Sequence, residues 1–165
     1  VYADVLLGND TVRVFSIHLQ SFGFGAKEYR TIDDIKSNEE KDLLASRKLV
    51  SKMKNTFYVH GLQSDYIVEE IKTSPHPVIV AGDLNDVAGS YSYAAIRGSQ
   101  KDAFLEKGTG LGATFMSSSS SILQLLPTLR IDYIFHPGLY PTRQFTRSGK
   151  KLSDHYFLVA DITVP

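Results

Sequence analysis

The stretch VIVAGDLND, from Val78 to Asp86, decides the fold because an apolar run passes straight into a glycine and then into polar residues. Such a run predicts a strand that is buried on both faces. Asp83 and Asn85 stand two positions apart just past its end, so in an extended chain they point the same way. Ligand sites in α/β sheets gather outside the carboxyl ends of strands, which makes both residues candidates for chemistry. An Asp-x-Asn pair after a strand is also a common turn, and this stretch alone leaves both interpretations open.

The sequence before this stretch predicts a hairpin, a loop and a long helix. YADVLL and TVRVFSIHL flank GND, which supplies turn residues for a β-hairpin. The polar, Gly-containing stretch 20–40 predicts a loop. A helical pattern then extends from about Glu39 to Lys72, and Gly61 predicts a kink or a split in it.

The sequence after it predicts a short helix, a loop and three strands. SYSYAAIRG is typical of a short helix that Gly98 closes. The stretch 107–128 contains three Gly and five consecutive Ser, which predicts a mobile loop. LRIDYIF, TRQFTRSG and HYFLVADITV predict strands. Together these patterns indicate an α/β (α+β) fold with a mixed sheet.

Composition excludes several classes of protein. A length of 165 residues is typical of one domain, and the 18 basic and 18 acidic residues cancel, so no broad nucleic-acid or anionic-membrane surface is predicted. The absence of cysteine excludes disulfides and thiolate metal sites but leaves the compartment open, whether cytoplasmic, periplasmic or secreted. No apolar run approaches the roughly 18 residues of a membrane-spanning helix.

The strand LRIDYIF carries a second candidate carboxylate. Asp132 stands among apolar residues in mid-strand, where an ionised carboxylate is costly unless it is paired. One interpretation is a salt bridge to Arg130 or to another cation. The other is an acid that orients a histidine.

Two histidines stand close to strand ends. His155 follows Ser153 and Asp154 at the start of the last apolar strand, and His18 ends the strand RVFSIHL. Taken singly, each is more typical of a solvated or core histidine. Taken with the carboxylates and Asn85, they form the set that hard-cation phosphoester hydrolysis needs, and no Ser or Cys stands in a nucleophile elbow.

The motifs GDLN, RIDYIF and SDHYFLVA, preceded by FSIHLQS, resemble the four C-terminal motifs of the endonuclease/exonuclease/phosphatase superfamily, in the same order. The resemblance covers the chain from the hairpin to the last strand. It implies the DNase I-like fold, in which a two-sheet mixed β-sandwich is flanked by helices. It also implies Mg²⁺-dependent hydrolysis of phosphoesters, with Mn²⁺ as an alternative cofactor, and a histidine at the position of His18 that assists at the phosphate.

The resemblance also implies roles for the remaining residues. Asp83 activates or positions the attacking water and contributes to the metal site. Asn85 orients the nucleophile and the phosphate. His155, held by Asp132, contacts the phosphate, and Asp154 lies at or near the metal.

One departure from the family pattern concerns the N-terminal half, which carries an early Asn and a Glu that binds the metal. No residue before Val1 supplies them, and Glu28, Glu39 and Glu40 come after the His18 motif, in the wrong order. We therefore expect residues 1–165 to be a single partial domain that is weakly active or inactive by itself. Exposed strand edges predict a homodimer.

The residues do not choose a substrate among nucleic acids, phospholipid head groups and small phosphate esters. Tyr91 and Tyr93 could stack on a substrate base, or they could pack their helix against the sheet, which is the more common role. The alternatives in function are a non-catalytic binding fragment of the same fold and a phospholipase or lipid phosphatase that works at a membrane surface. The last would require an exposed apolar loop such as SSSSSILQLLP.

Overall fold

A computed structural model of the chain describes residues 1–37, 43–116, 129–150 and 152–164. Its strands are β1 (Tyr2–Leu7), β2 (Asp10–His18), β3 (Val78–Asp83), β4 (Lys101–Asp102), β5 (Asp132–His136), β6 (Thr142–Arg147) and β7 (Leu158–Ile162). Its helices are α1 (Ala26–Ser37), α2 (Leu43–Lys72), α3 (Tyr91–Arg97) and α4 (Ala103–Lys107). None of these helices is both long enough and apolar enough to cross a bilayer.

The strands form two sheets. Five of them pair in the order β1-β2-β3-β5-β4, and β6 and β7 form a second, two-stranded sheet. The pair β2–β3 is parallel and the other pairs are antiparallel, because helices α1 and α2 connect β2 to β3 whereas the remaining links reverse direction. The predicted α/β class with a mixed sheet and two layers of strands is confirmed.

The predicted hairpin is present at the outer edge of the large sheet. Leu7 pairs with Asp10, which leaves Gly8 and Asn9 as a two-residue loop. Gly8 has φ 65°. Type II′ hairpin turns require a positive φ at this first loop position, and glycine adopts it without a steric cost.

The main core lies on one face of the five-stranded sheet. Alternate residues of the three central strands point into it, and helices α2 and α3 cover it with Ile67, Ile71, Tyr93 and Ile96. On the opposite face of β3, Ile79 and Ala81 are only half-buried. The prediction that this strand is buried on both faces was therefore too strong.

Three helical features differ from the sequence predictions. Helix α1 occupies the second half of the stretch predicted as a loop, where Glu28 accepts a hydrogen bond from the Gly25 N–H at 2.9 Å and so caps the first turn. Helix α2 runs unbroken through Gly61, so the predicted split is wrong. The short helix α4, whose N-cap is Asp102, was not predicted. The start of the predicted long helix and most of the serine-rich stretch lie outside the described residues.

The second sheet docks on the first through α4 and the end of β5. The rings of Phe104 and Phe145 meet edge to face at 5.7 Å between centroids. The Thr142 hydroxyl lies 2.8 Å from both Glu106 Oε2 and the buried His136 Nε2. Apolar and polar contacts together fix where the strand pair β6–β7 stands relative to β5.

Gly82 allows β3 to approach β2 closely. Its φ is 149°, a conformation that L side chains rarely adopt, and a Cβ there would clash with the carbonyl oxygen of Ile17. Gly82 therefore sets the spacing of β2 and β3 just before these strands end at His18 and Asp83.

Self-association is expected because the large sheet ends in an exposed strand. All six residues of β1 are exposed, including Tyr2 at 50 % and Leu6 at 69 %, and no strand in the described part of the chain pairs with its outer edge. Light scattering over a concentration series should show a dimer. A lysine in an edge strand disfavours pairing, so Leu6→Lys should shift the equilibrium toward monomer. Leu105→Lys, on α4, should leave it unchanged. A monomer mass at every concentration would contradict the prediction.

Candidate active site

Three neighbouring strands bring His18, Asp83 and Asp132 to one place. His18 lies opposite Asp83 in the β2–β3 pairing, and Asp83 lies opposite Asp132 in the β3–β5 pairing. Residues paired across strands project from the same face, so the register alone sets one imidazole and two carboxylates side by side. His18 Nε2 lies 3.7 Å from Asp83 Oδ2.

His155 reaches the same place from the side of the second sheet. It precedes β7 and forms an isolated antiparallel bridge with Phe115. Its Nδ1 lies 2.9 Å from Asp132 Oδ2, and its Nε2 lies 3.9 Å from Asp83 Oδ2. The hydrogen bond between Asp132 and His155 that the sequence predicts is therefore present. It leaves Nε2 facing Asp83.

The surroundings raise the pKa values of His155 and Asp83. The hydrogen bond to Asp132 raises the pKa of His155 and, although burial opposes it, the charges of Asp132, Asp83 and Asp154 act in the same direction. Burial raises the pKa of Asp83, and the charge of Asp132 adds to this effect. The site thus holds an imidazolium that persists to higher pH and a carboxylate that is more basic than usual.

Asn85 forms the turn that is one of the two interpretations of its sequence position. Its backbone N–H donates to Asp83 Oδ1 at 2.7 Å, which is the hydrogen bond of an Asx turn. It has φ 47°, and its side-chain amide donates to the Leu19 carbonyl at 3.0 Å. The turn therefore fixes the Asp83 carboxylate and ties it to the end of β2.

Asp132 does not pair with Arg130. The Arg130 guanidinium instead lies 2.6 Å from Asp102 Oδ2, and both side chains are buried. The guanidinium also lies over the rings of Phe104 and Tyr133, at 4.7 and 4.6 Å from their centroids. The predicted partner Arg130 is therefore wrong, because its guanidinium pairs with Asp102; the other predicted partner, a histidine, is present in His155.

The remaining predicted residues occupy different positions. Asp154 is exposed and lines the cavity described below, but it lies outside the group of close metal-binding side chains. Tyr93 is 6 % exposed and packs on Tyr133. It therefore packs its helix against the sheet, and it is not available to stack on a substrate base. Tyr91 is 60 % exposed, donates its hydroxyl to Asp65 and does not line the cavity.

Two buried residues support the site and were not predicted. His60 on α2 is fully buried, with Nε2 2.6 Å from the Gln20 carbonyl and Nδ1 3.4 Å from Asp86 Oδ2. Asp86 also accepts the Ser92 hydroxyl at 3.0 Å. Asp86 is the last residue of the stretch VIVAGDLND, so its place beside Asp83 and Asn85 could have marked it as a residue of the site. His60 carries no local signal, because only the fold brings α2 over this turn.

The site opens into a cavity of about 750 Å³. His18, Asp83, Asp132 and His155 lie on its wall. Among the described residues, Asp83, Asp132 and His155 form the group whose potential ligand atoms all lie within 4.8 Å of one another. Two carboxylates and an imidazole at that spacing could hold a divalent cation.

A family model described as the Endonuclease/Exonuclease/phosphatase family matches residues 55–155. The chain belongs to this family. The match contains Asp83, Asn85, Asp132 and His155, whereas His18 lies before it. It confirms the resemblance inferred from the motifs. No curated protein matches the chain significantly over its sequence.

Solved structures show the same fold. A humanized Danio rerio TDP2 superposes with a TM-score of 0.62 at 17% identity, covering 99% of this chain and 59% of that one. A Bacteroides thetaiotaomicron mannosyl-6-phosphatase gives 0.52 at 17% identity, with 95% and 53% covered. A protein of unknown function from Enterococcus faecalis gives 0.56 at 17% identity, with 94% and 51% covered. The chain thus spans between half and three fifths of the length of these structures and has the DNase I-like fold that the motifs imply.

Proposed function

We propose that the protein is a divalent-metal-dependent phosphoester hydrolase whose reaction is carried by Asp83, Asp132 and His155. Membership of the family supports phosphoester hydrolysis in general. The observation that carries the finer proposal is the position of Asp83 Oδ2, which faces His155 Nε2 at 3.9 Å and His18 Nε2 at 3.7 Å. A basic carboxylate and two imidazoles converge on a space that a phosphate could enter.

In this proposal each side chain handles a proton or a charge. Asp83 accepts a proton from the attacking water, and its raised pKa makes it a stronger base than an ordinary carboxylate. His155 donates from Nε2 to a phosphoryl oxygen, while Asp132 accepts from Nδ1–H and fixes the ring. His18, whose side chain is 70% exposed, donates to the same phosphate from the rim.

The donor set fits a divalent cation. Asp83 and Asp132 offer two carboxylate oxygens, which suit Mn²⁺ and, with waters completing the shell, Mg²⁺. His155 lies beside these oxygens, but in the proposed reaction both of its ring nitrogens carry protons, so it faces the phosphate and does not ligate the cation. A bound metal would polarise a phosphoryl oxygen. The charge of Asp132 raises the pKa of Asp83, which indicates repulsion between carboxylates that a cation would relieve.

Metal binding can be tested without turnover. Titration of Mn²⁺ into the chain, followed by electron paramagnetic resonance of the free ion, should detect a site that Asp83→Asn weakens roughly tenfold or more, because one charged ligand is lost. Asp161→Asn removes an exposed carboxylate on β7 and serves as the matched control. Equal Mn²⁺ affinity in Asp83→Asn and in the unmodified chain would contradict the proposed metal site.

The pH profile should be bell-shaped, with its alkaline limb moved upward. Turnover requires ionised Asp83, so it rises with pH on the acid side. It requires protonated His155, so it falls on the alkaline side as pH passes through the raised pKa of His155. Asp132→Asn removes the main cause of the His155 shift. An NMR titration of the His155 ring should then report a lower pKa, and Asp161→Asn should leave it in place. A His155 pKa that Asp132→Asn does not lower would contradict the assigned dyad.

A further inference from the structure

We propose that the cavity beside Asp83 receives an uncharged aromatic ring, so that the substrate is a phosphoester whose organic group carries such a ring close to the phosphorus. The inference rests on the proposed function and names its substrate class. It is carried by the aromatic side chains of the cavity wall, which have no role in the proposed hydrolysis.

The aromatic wall is built from side chains of four parts of the chain. They are Phe22 and Phe24 after β2, Tyr29 on α1, Phe57 on α2 and Phe115 beside His155. Phe22 touches Phe24 and Phe57 at centroid distances of 5.3 and 5.2 Å, and Phe24 meets Tyr29 edge to face at 6.1 Å.

The aromatic wall and the charged groups lie in one cavity. The ring of Phe115 meets the ring of His155 edge to face at 5.0 Å between centroids. A ligand with its phosphate at His155 can therefore reach the aromatic wall without leaving the cavity. Phe57 is 45% exposed, so its ring is accessible to a ligand in the cavity.

The charges of the cavity disfavour a polyanion. Of the described residues that line it, none is a lysine or an arginine, whereas Asp83, Asp86, Asp132 and Asp154 are acidic. Lys52 stands at the edge of the cavity, with Nζ 2.6 Å from the Gly23 carbonyl and 5.6 Å from the centroid of the Phe24 ring, but its charge is paired with Glu28 Oε1 at 3.0 Å. Nucleic-acid sites rely on cationic side chains to hold successive phosphates. One phosphate attached to an apolar ring fits the lining better.

The two methionines of the chain allow a binding test that does not depend on turnover. Met53 lines the cavity and Met116 does not. With methyl-¹³C methionine, titration of 2-naphthol should shift the Met53 resonance saturably through the ring current of the ligand and leave Met116 in place. Phe57→Ala should weaken binding roughly fivefold to tenfold, since an aromatic contact is lost. Tyr58→Ala, an exposed neighbour on α2, should change nothing.

A second titration separates this inference from the proposed function. In Mg²⁺ buffer, phenylphosphonate should bind at least roughly tenfold more tightly than methylphosphonate, and Phe57→Ala should reduce that difference. Equal binding of the two phosphonates, together with an unmoved Met53 in 2-naphthol, would overturn the aromatic subsite and leave the hydrolase proposal intact. Binding of 2-naphthol without binding of either phosphonate would overturn the hydrolase proposal and, with it, the substrate class.

Discussion

Replacing Asp83 with Asn is expected to lower metal-dependent hydrolysis of bis(4-nitrophenyl) phosphate by roughly 100- to 10,000-fold, the range typical of a lost general base. Asn keeps an oxygen that can accept the Asn85 N–H, so the turn survives. It cannot take a proton from water, and it weakens the proposed metal site. The measurement is kcat/KM of the Asp83→Asn variant and of the unmodified chain, both as residues 1–165 and at saturating Mn²⁺. The ratio of the two kcat/KM values remains informative even where the absolute turnover of residues 1–165 is slow.

A stability measurement shows whether such a loss comes from chemistry or from unfolding. Burial raises the pKa of Asp83, so at neutral pH its ionised carboxylate costs stability. This cost declines as pH falls below the folded-state pKa and is gone below the unfolded-state pKa. Asp83→Asn should therefore melt at the same temperature as the unmodified chain or slightly higher. Full activity in Asp83→Asn would remove Asp83 from the mechanism, and a collapse in melting temperature would overturn the electrostatic argument.

Replacing Arg130 with Met is expected to destabilise the fold by about 3–5 kcal/mol, the range for removing one partner of a buried ion pair. The substitution leaves the buried Asp102 carboxylate without its cation at 2.6 Å. It also removes the guanidinium that lies over the rings of Phe104 and Tyr133. Urea unfolding followed by circular dichroism would measure the change.

The double variant Arg130→Met/Asp102→Asn tests the cause of that loss. Asn still caps α4 by accepting the Phe104 N–H but carries no orphaned charge, so it should recover part of the stability. The exposed pair of Arg13 and Asp4 is the matched surface control, and Arg13→Met should cost much less. If Arg130→Met were no more destabilising than Arg13→Met, the buried pair would have no special role in the fold.

The sequence predicted the part of the site that strand periodicity controls. His18, Asp83 and Asp132 each stand at the end of an apolar strand or within one, and pairing of the strands sets them side by side. Helix α1 was missed because its cap uses Gly25 and Glu28 rather than a Ser or Thr signal. Gly61 suggested a break, but a glycine costs only about 1 kcal/mol in a helix, which the packing of a 30-residue helix offsets.

The aromatic wall could not be predicted, because its members lie far apart in the chain. Phe22, Phe57 and Phe115 belong to segments with no common period. The crossover from β2 to β3 carries Phe22 and Phe57, and Phe115 joins them from the segment between α4 and β5. Their spacing in sequence carries no information about a cavity. For the same reason, His60 could not be assigned to the turn at Asp86.

The hydrogen bond between Asp132 and His155 joins residues held by different sheets, since Asp132 begins β5 and His155 leads into β7. Between them runs the exposed turn at Gly138 and Leu139, where Leu139 is 86% accessible. A cut at this turn would divide the chain into one peptide with Asp83 and Asp132 and another with His155. If the proposed reaction is correct, neither peptide would be competent alone, so activity would report on their reassociation, as in a split-enzyme reporter.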